Sequence, residues 1–193
     1  MSELTKLARA LEFCVQAHRG QFRDGEAAVP YACHPVEVML TLRHQAGVLD
    51  EEHLCAALLH DTVEDTDASL LDLRKEFGER VAEIVGEVTR DEPERPEGID
   101  KHEHWMMKTG LFLEEIRGMS WEARMIKLSD RLSNIRESEA TRSGYKLERY
   151  RLQTIWILQD IPRDTHPGLW DAIAAVIDQD AASVASAPRY PES

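Results

Sequence analysis

Apolar residues recur with a period near 3.6 along almost the whole chain, and no strong run alternates with the period two of a half-buried strand. Leu4, Leu7, Leu11, Cys14 and Val15 mark one face of a first helix that ends near His18-Arg19-Gly20. A loop follows from Gly20 to Tyr31. His34-Pro35 then opens a second helix, with proline where the first turn tolerates it, and Val36, Val38, Met39 and Leu42 give it an apolar side before Gly47 ends it. A third helix is predicted from about Asp50 to His60. A fourth is capped near Ser69 and stopped at Gly78, and a fifth carries the stripe Val81, Ile84, Val85 and Val88. The charged, proline-containing stretch from Asp91 to Gly98 predicts a loop. Helices resume at about 100–117, 120–139, 145–160 and 167–180. The small, polar tail from Ala181 to Ser193 is expected to fray. The pattern predicts an all-α fold of about eight to ten helices, in one domain over residues 1–180.

Composition narrows the class. With 193 residues and 42% apolar content the chain can bury one full core. It lacks the run of about 18 apolar residues that a membrane span needs, and its first residues lack the basic-then-apolar order of a secretion signal. A cytoplasmic location is the expectation. Cys14, Cys33 and Cys55 form no Cys-x-x-Cys pair and read as reduced thiols in or near the core. A formal net charge of -13 argues against nucleic acid or an anionic membrane as partner, because both need a basic face. A small anionic substrate stays open, given a local patch of cations.

The chemistry concentrates at His60-Asp61-Thr62-Val63-Glu64-Asp65-Thr66-Asp67. There one imidazole and four carboxylates follow the apolar run from Leu54 to Leu59. Carboxylates crowded in this way raise one another's pKa unless a cation offsets them, and a divalent metal is the simplest such cation. Asp130 and Asn134 lie four residues apart, so they share a helix face with Ile126. A buried aspartate there needs either a ligand role or a firm ion pair. His34, His60, Asp61 and Asp130 are the metal-ligand candidates. Two imidazoles and two carboxylates suit manganese, zinc or iron, and donor chemistry alone does not choose among them.

Four motifs, read together, resemble the HD superfamily of metal-dependent phosphohydrolases. They are Ala17-His18-Arg19-Gly20-Gln21-Phe22-Arg23, Pro30-Tyr31-Ala32-Cys33-His34-Pro35-Val36, Leu58-Leu59-His60-Asp61-Thr62-Val63-Glu64-Asp65-Thr66, and Ile126-Lys127-Leu128-Ser129-Asp130-Arg131-Leu132-Ser133-Asn134-Ile135-Arg136. Within that superfamily the chain is similar to the hydrolase domain of RelA/SpoT homologues in its stand-alone form, the small alarmone hydrolases. The resemblance implies an HD-type domain and one divalent ion, most often manganese, on His34, His60, Asp61 and Asp130. It implies Glu64 and Asp65 as the catalytic acidic pair, Asn134 as a contact to substrate or water, and Arg23 as a contact to substrate phosphate. The implied reaction removes the 3′-pyrophosphate of guanosine 3′,5′-bispyrophosphate (ppGpp, or the pentaphosphate pppGpp), leaving GDP or GTP. The implied partner is therefore a guanine nucleotide. Two other functions fit the same motifs: an HD phosphohydrolase acting on another nucleotide, such as an NADPH 2′-phosphatase, and an inactive nucleotide-binding regulatory module. Relatives carry a second basic residue after Arg23, where this chain has Asp24, and a more basic segment where it has Lys101 to Lys108.

Overall fold

A computed structural model of the chain describes residues 5–23, 28–90 and 93–191. Leu4, Asp24, Asp91 and Glu92 lie outside the described residues. These residues form eleven α-helices and a 3-10 turn at Arg163–Thr165. The only pairing of β type among them is an isolated bridge between Phe22 and Pro30. The helices are α1 (Lys6–Ala17), α2 (Cys33–His44), α3 (Glu51–Leu59), α4 (Thr62–Asp65), α5 (Leu70–Phe77), α6 (Glu79–Val88), α7 (Lys101–Gly118), α8 (Trp121–Thr141), α9 (Gly144–Asp160), α10 (Pro167–Val176) and α11 (Ala181–Ser186).

Local chemistry starts these helices where the sequence expects. The Asp50 carboxylate accepts the His53 N–H at the head of α3. Ser69 with Asp72 and Asp100 with Glu103 form reciprocal capping boxes on α5 and α7. The Ser120 hydroxyl accepts the Ala123 N–H at the start of α8. Gly78 has a φ of 95°, the left-handed region that favours glycine, and makes the corner between α5 and α6.

Two helices form the centre. Every residue of α3 from His53 to Leu59 is buried, and a helix apolar all round belongs inside a domain. α1, α2 and α6 pack around it. α8 packs on α2, α6, α9 and α10, and buries Met125, Ile126, Leu128, Leu132 and Ile135. Each such side chain contributes about 1.5–3 kcal/mol relative to exposure. The candidate site residues Asp130 and Asn134 on α8 therefore ride on a helix that the core holds in place.

Three features differ from the sequence reading. α4 is a single turn inside the acidic stretch, held by the Thr62 hydroxyl donating to Leu59 O (2.7 Å) and the Thr66 hydroxyl donating to Thr62 O (2.6 Å). Over residues 181–191, within the tail expected to fray, the structure has a capped helix, while Glu192 and Ser193 lie outside the described residues. Asp180 accepts the Ser183 N–H, Val184 is buried, Gln159 donates to Val184 O and Ala187 O, and the Tyr190 hydroxyl donates to Met106 O. Small residues let that segment lie close on α9 and α7. Finally, Cys14 and Cys55 are buried free thiols, but Cys33 is exposed at the first turn of α2. No helix among the described residues is long and apolar enough to cross a membrane.

Candidate metal centre and catalytic cleft

The end of α3, the start of α2 and the middle of α8 meet at four side chains. Nε2 of His34 lies 3.1 Å from Asp130 Oδ1 and 3.4 Å from Asp61 Oδ2. Nε2 of His60 lies 3.1 Å from Asp61 Oδ1 and 3.8 Å from Asp130 Oδ1. Ligand atoms of His34, His60 and Asp61 fall within 4.8 Å of one another. Both imidazoles are buried.

The far side of each ring fixes its tautomer. Nδ1 of His60 is 2.8 Å from the Ala57 carbonyl, which can only accept, so Nδ1 carries the proton. Nδ1 of His34 is 3.1 Å from the Ser133 hydroxyl, whose own proton goes to Glu37 Oε2 at 2.8 Å. That hydroxyl therefore accepts from His34. In the neutral rings both Nε2 atoms would then present lone pairs toward the carboxylates, and His60 Nε2 is a buried nitrogen with no hydrogen-bond partner. This is the donor arrangement of a metal site, in which the outer hydrogen bond aims the ligand nitrogen. The charges agree. Burial works to lower the pKa of His60, yet the Asp61 and Asp130 carboxylates hold it up at about 10. Asp61 and Asp130 are held well below the usual carboxylate range against their own burial, by His60 and His34. The cluster demands positive charge, and a divalent cation can supply it in place of protons.

Two further carboxylates border the cluster. Glu64 is held twice by Arg90, through the backbone N–H (3.3 Å) and Nη2 (2.9 Å). Asp65 lies 3.0 Å from the Tyr31 hydroxyl, which is also 2.8 Å from Asp61 Oδ2. Burial and the negative charge of Asp61 push the Asp65 carboxyl up. The Asp65 carbonyl accepts from Gln21 Nε2 at 2.7 Å, and Gln21 Oε1 accepts from His18 Nδ1 at 2.7 Å, so the loop after α1 is tied to α4.

Arg23 and Asn134 adjoin Asp130. Arg23 forms a fork with the Glu137 carboxylate, with Nε at 2.6 Å from Oε1 and Nη2 on Oε2. Nη2 also donates to Asn134 Oδ1 at 3.3 Å, and Asn134 Nδ2 donates to Asp130 Oδ1. The structure thus links His34, His60, Asp61, Asp130, Asn134 and Arg23 by direct contacts and Asp65 through Tyr31, with Glu64 beside Asp65 on α4 and bonded to Arg90, but it gives Arg23 a protein partner that the sequence did not suggest.

The sequence reading missed a cleft of about 770 Å³ between the end of α6, α7 and α9. Arg90, Lys108, Arg142, Lys146 and Arg149 line it with Trp105 and Tyr150, and among the described residues its lining includes no acidic side chain. Arg90 joins it to Glu64, and the charge of Asp130 is felt at Tyr150. Arg149 lies 4.1 Å over the Trp105 ring, and Arg131 lies 4.5 Å over Tyr150. Trp105 is therefore both packed against the core and a wall of the cleft. His102 is exposed and stacks on Trp105, and His104 bonds to the Pro93 carbonyl; neither joins the cluster of His34, His60 and Asp61. The available signal was the cluster of basic residues Arg142, Lys146 and Arg149 at the junction of α8 and α9.

Comparison with known proteins gives the same direction. The HD domain family matches residues 10–161. The chain is 36% identical over 159 residues to human guanosine-3′,5′-bis(diphosphate) 3′-pyrophosphohydrolase MESH1, covering 82% of this chain and 84% of that protein. It is 37% identical over 152 residues to the Drosophila melanogaster protein of the same name, covering 78% and 80%. A solved structure described as a metazoan orthologue of SpoT that hydrolyses ppGpp superimposes with a TM-score of 0.76 at 32% identity, covering 92% of this chain and 97% of that one.

Proposed function

The chain belongs to the HD domain family, and on that footing we propose that it is a metal-dependent 3′-pyrophosphohydrolase of ppGpp and pppGpp. The observation that carries this reading is the junction of two opposite fields. A cluster of two histidines and two aspartates that calls for a cation is joined, through Glu64 and Arg90, to a cleft whose described lining carries five cationic residues. Within a chain of net charge -13, that juxtaposition suits a small polyanion cleaved at one end and held at the other.

His34, His60, Asp61 and Asp130 would hold the ion, and the mixed imidazole and carboxylate set suits manganese. When bound, such an ion polarises a phosphoryl oxygen and lowers the pKa of a coordinated water. The chain's own residues supply the rest. Glu64, held in place by Arg90, takes the proton of the attacking water as its oxygen bonds to the 3′-linked phosphorus. The bond from that phosphorus to O3′ breaks. Asp65, whose carboxyl is pushed up by burial and the Asp61 charge, is the group placed to return a proton to O3′. Pyrophosphate and GDP are the products, or GTP from the pentaphosphate. Arg23 and Asn134 lie beside the scissile end, and Arg23 Nη1 has no protein partner. Lys108, Arg142, Lys146 and Arg149 would offset the 5′-phosphates, with Trp105 and Tyr150 as flat walls.

Removal and return of the metal test this reading. Chelator-treated protein should lose hydrolysis of ppGpp, and stoichiometric manganese should restore it. Full turnover by protein shown by elemental analysis to be metal-free would contradict the reading.

A further inference from the structure

We propose that Glu137 is a positioning residue for the metal centre, acting through Arg23 and Asn134 on the orientation of Asp130. The proposal deepens the phosphohydrolase reading and rests on it for its kinetic half.

The argument starts from the amide of Asn134. An asparagine side chain can face either way, and its partners decide which. Arg23 Nη2, a donor, faces one end, so that end must be the oxygen. The amide nitrogen is then turned to Asp130 Oδ1, which accepts from it. This is the same oxygen that faces Nε2 of His34 at 3.1 Å and Nε2 of His60 at 3.8 Å. Both partners favour this orientation; without Arg23 the amide would be anchored only at its Asp130 end, and its oxygen would lose the donor that holds the other end in place.

What holds Arg23 is Glu137. The fork of two donors on two carboxylate oxygens fixes the plane of the guanidinium as well as its distance. The pair is largely shielded from solvent, with side-chain exposures of 10% for Arg23 and 26% for Glu137. Asp130, Asn134 and Glu137 recur at helical spacing on one face of α8, so the rigid helix carries both ends of the relay. Arg23 arrives from the loop after α1, where its backbone N–H bonds to Val29 O at 2.9 Å. Glu137 thereby does two things at once. It sets the amide that orients a metal ligand, and it leaves Nη1 without a hydrogen-bond partner among the described residues.

A different role for Glu137 would be simple competition, in which its carboxylate occupies Arg23 until a substrate phosphate displaces it. The two roles predict opposite kinetics. Metal-free protein would be titrated with Mn²⁺ and the free ion followed by electron paramagnetic resonance, for wild type, Glu137→Ala, Glu137→Gln, Arg23→Ala and the Glu137→Ala/Arg23→Ala double variant. Steady-state kinetics with ppGpp would be run on the same samples. Positioning predicts that Glu137→Ala weakens Mn²⁺ binding by about tenfold, the lower end of what outer-shell changes cause. It predicts a similar drop in kcat, with KM changed by less than about threefold. Glu137→Gln, which keeps the shape and one acceptor, should fall between wild type and Glu137→Ala. The double variant should bind Mn²⁺ no more weakly than Arg23→Ala alone, since the effect runs through Arg23. An unchanged Mn²⁺ affinity with a fall in KM would establish competition and overturn the proposal, as would additive losses in the double variant. The Mn²⁺ titration needs no substrate. Failure of wild type to cleave ppGpp would count against the hydrolase reading alone and leave the titration to decide the role of Glu137.

Discussion

Arg90 grips Glu64 through two bonds, one from its backbone N–H and one from Nη2, while its side chain also lines the basic cleft. One residue therefore connects the carboxylate assigned to the attacking water with the surface assigned to the distal phosphates. Its guanidinium lies 4.8 Å over Phe112, whose ring also has Lys127 Nζ at 5.6 Å, so the aromatic ring steadies the grip.

Glu64→Gln should lower kcat by roughly 10²–10⁴-fold, the usual span for a general base, with metal content near normal. Arg90→Lys should reproduce part of that loss, because an ammonium cannot hold the carboxylate and line the cleft with the same fork. Turnover and elemental analysis on both variants check this. Loss of metal in Glu64→Gln would make Glu64 a ligand instead.

Asp61→Ala should abolish both metal binding and turnover, because Asp61 lies within 3.4 Å of both histidine Nε2 atoms. Ser133→Ala probes the outer bond. It removes the acceptor of His34 Nδ1–H and frees Glu37, and should weaken Mn²⁺ by about 10–100-fold with the fold intact. Calorimetric titration of the metal-free proteins measures both. Wild-type affinity in Ser133→Ala would show that the His34 tautomer is set by something else.

How much of this was legible in the sequence divides along contact distance. The core helices are legible because α3 is an unbroken apolar run and α8 buries residues at helical spacing. His60-Asp61 and Glu64-Asp65 are adjacent in sequence, so their clustering shows without a structure. The outer bonds were hidden. Ser133 meets His34 across 99 positions and Glu137 meets Arg23 across 114, and neither serine nor glutamate carries a signal of such a role. The cleft was hidden because Arg90, Lys108, Arg142, Lys146 and Arg149 each read as a solvated surface group until α6, α7 and α9 are brought together. The turn α4 escaped because four residues are too few to show a period.

The metal-free cluster should be sensitive to pH in a defined direction. In the folded protein the His60 pKa stands at about 10 against an ordinary value of 6.5. A group raised on folding contributes stability fully below its unfolded pKa and loses it as pH rises through the folded one. Metal-free protein should therefore lose stability toward denaturant as pH rises from about 6.5 to 10. Mn²⁺ takes the place of the protons, so its apparent affinity should rise over the same window with release of protons. Urea unfolding with and without Mn²⁺ at pH 6.5, 8 and 9.5 checks both trends. A stabilisation by Mn²⁺ that did not grow with pH would contradict the exchange of protons for metal.

Lys146→Ala and Arg149→Ala should each raise KM for ppGpp by about 10–100-fold, the value of one charge-assisted hydrogen bond, and leave Mn²⁺ affinity unchanged. The effect should shrink as salt is added, because Lys146 is exposed and its field is screened within about 10 Å at 0.1 M. KM at two salt concentrations decides whether the cleft holds the substrate.

The central claim is that water is delivered to the 3′-linked phosphorus of ppGpp and that pyrophosphate leaves intact. Phosphorus NMR of wild-type, manganese-loaded protein with ppGpp tests it most directly. The account predicts equal amounts of pyrophosphate and GDP, with both 5′-phosphates retained, and no product from the Asp61→Ala protein. Release of orthophosphate, or an unchanged ppGpp spectrum alongside cleavage of another nucleotide, would contradict it.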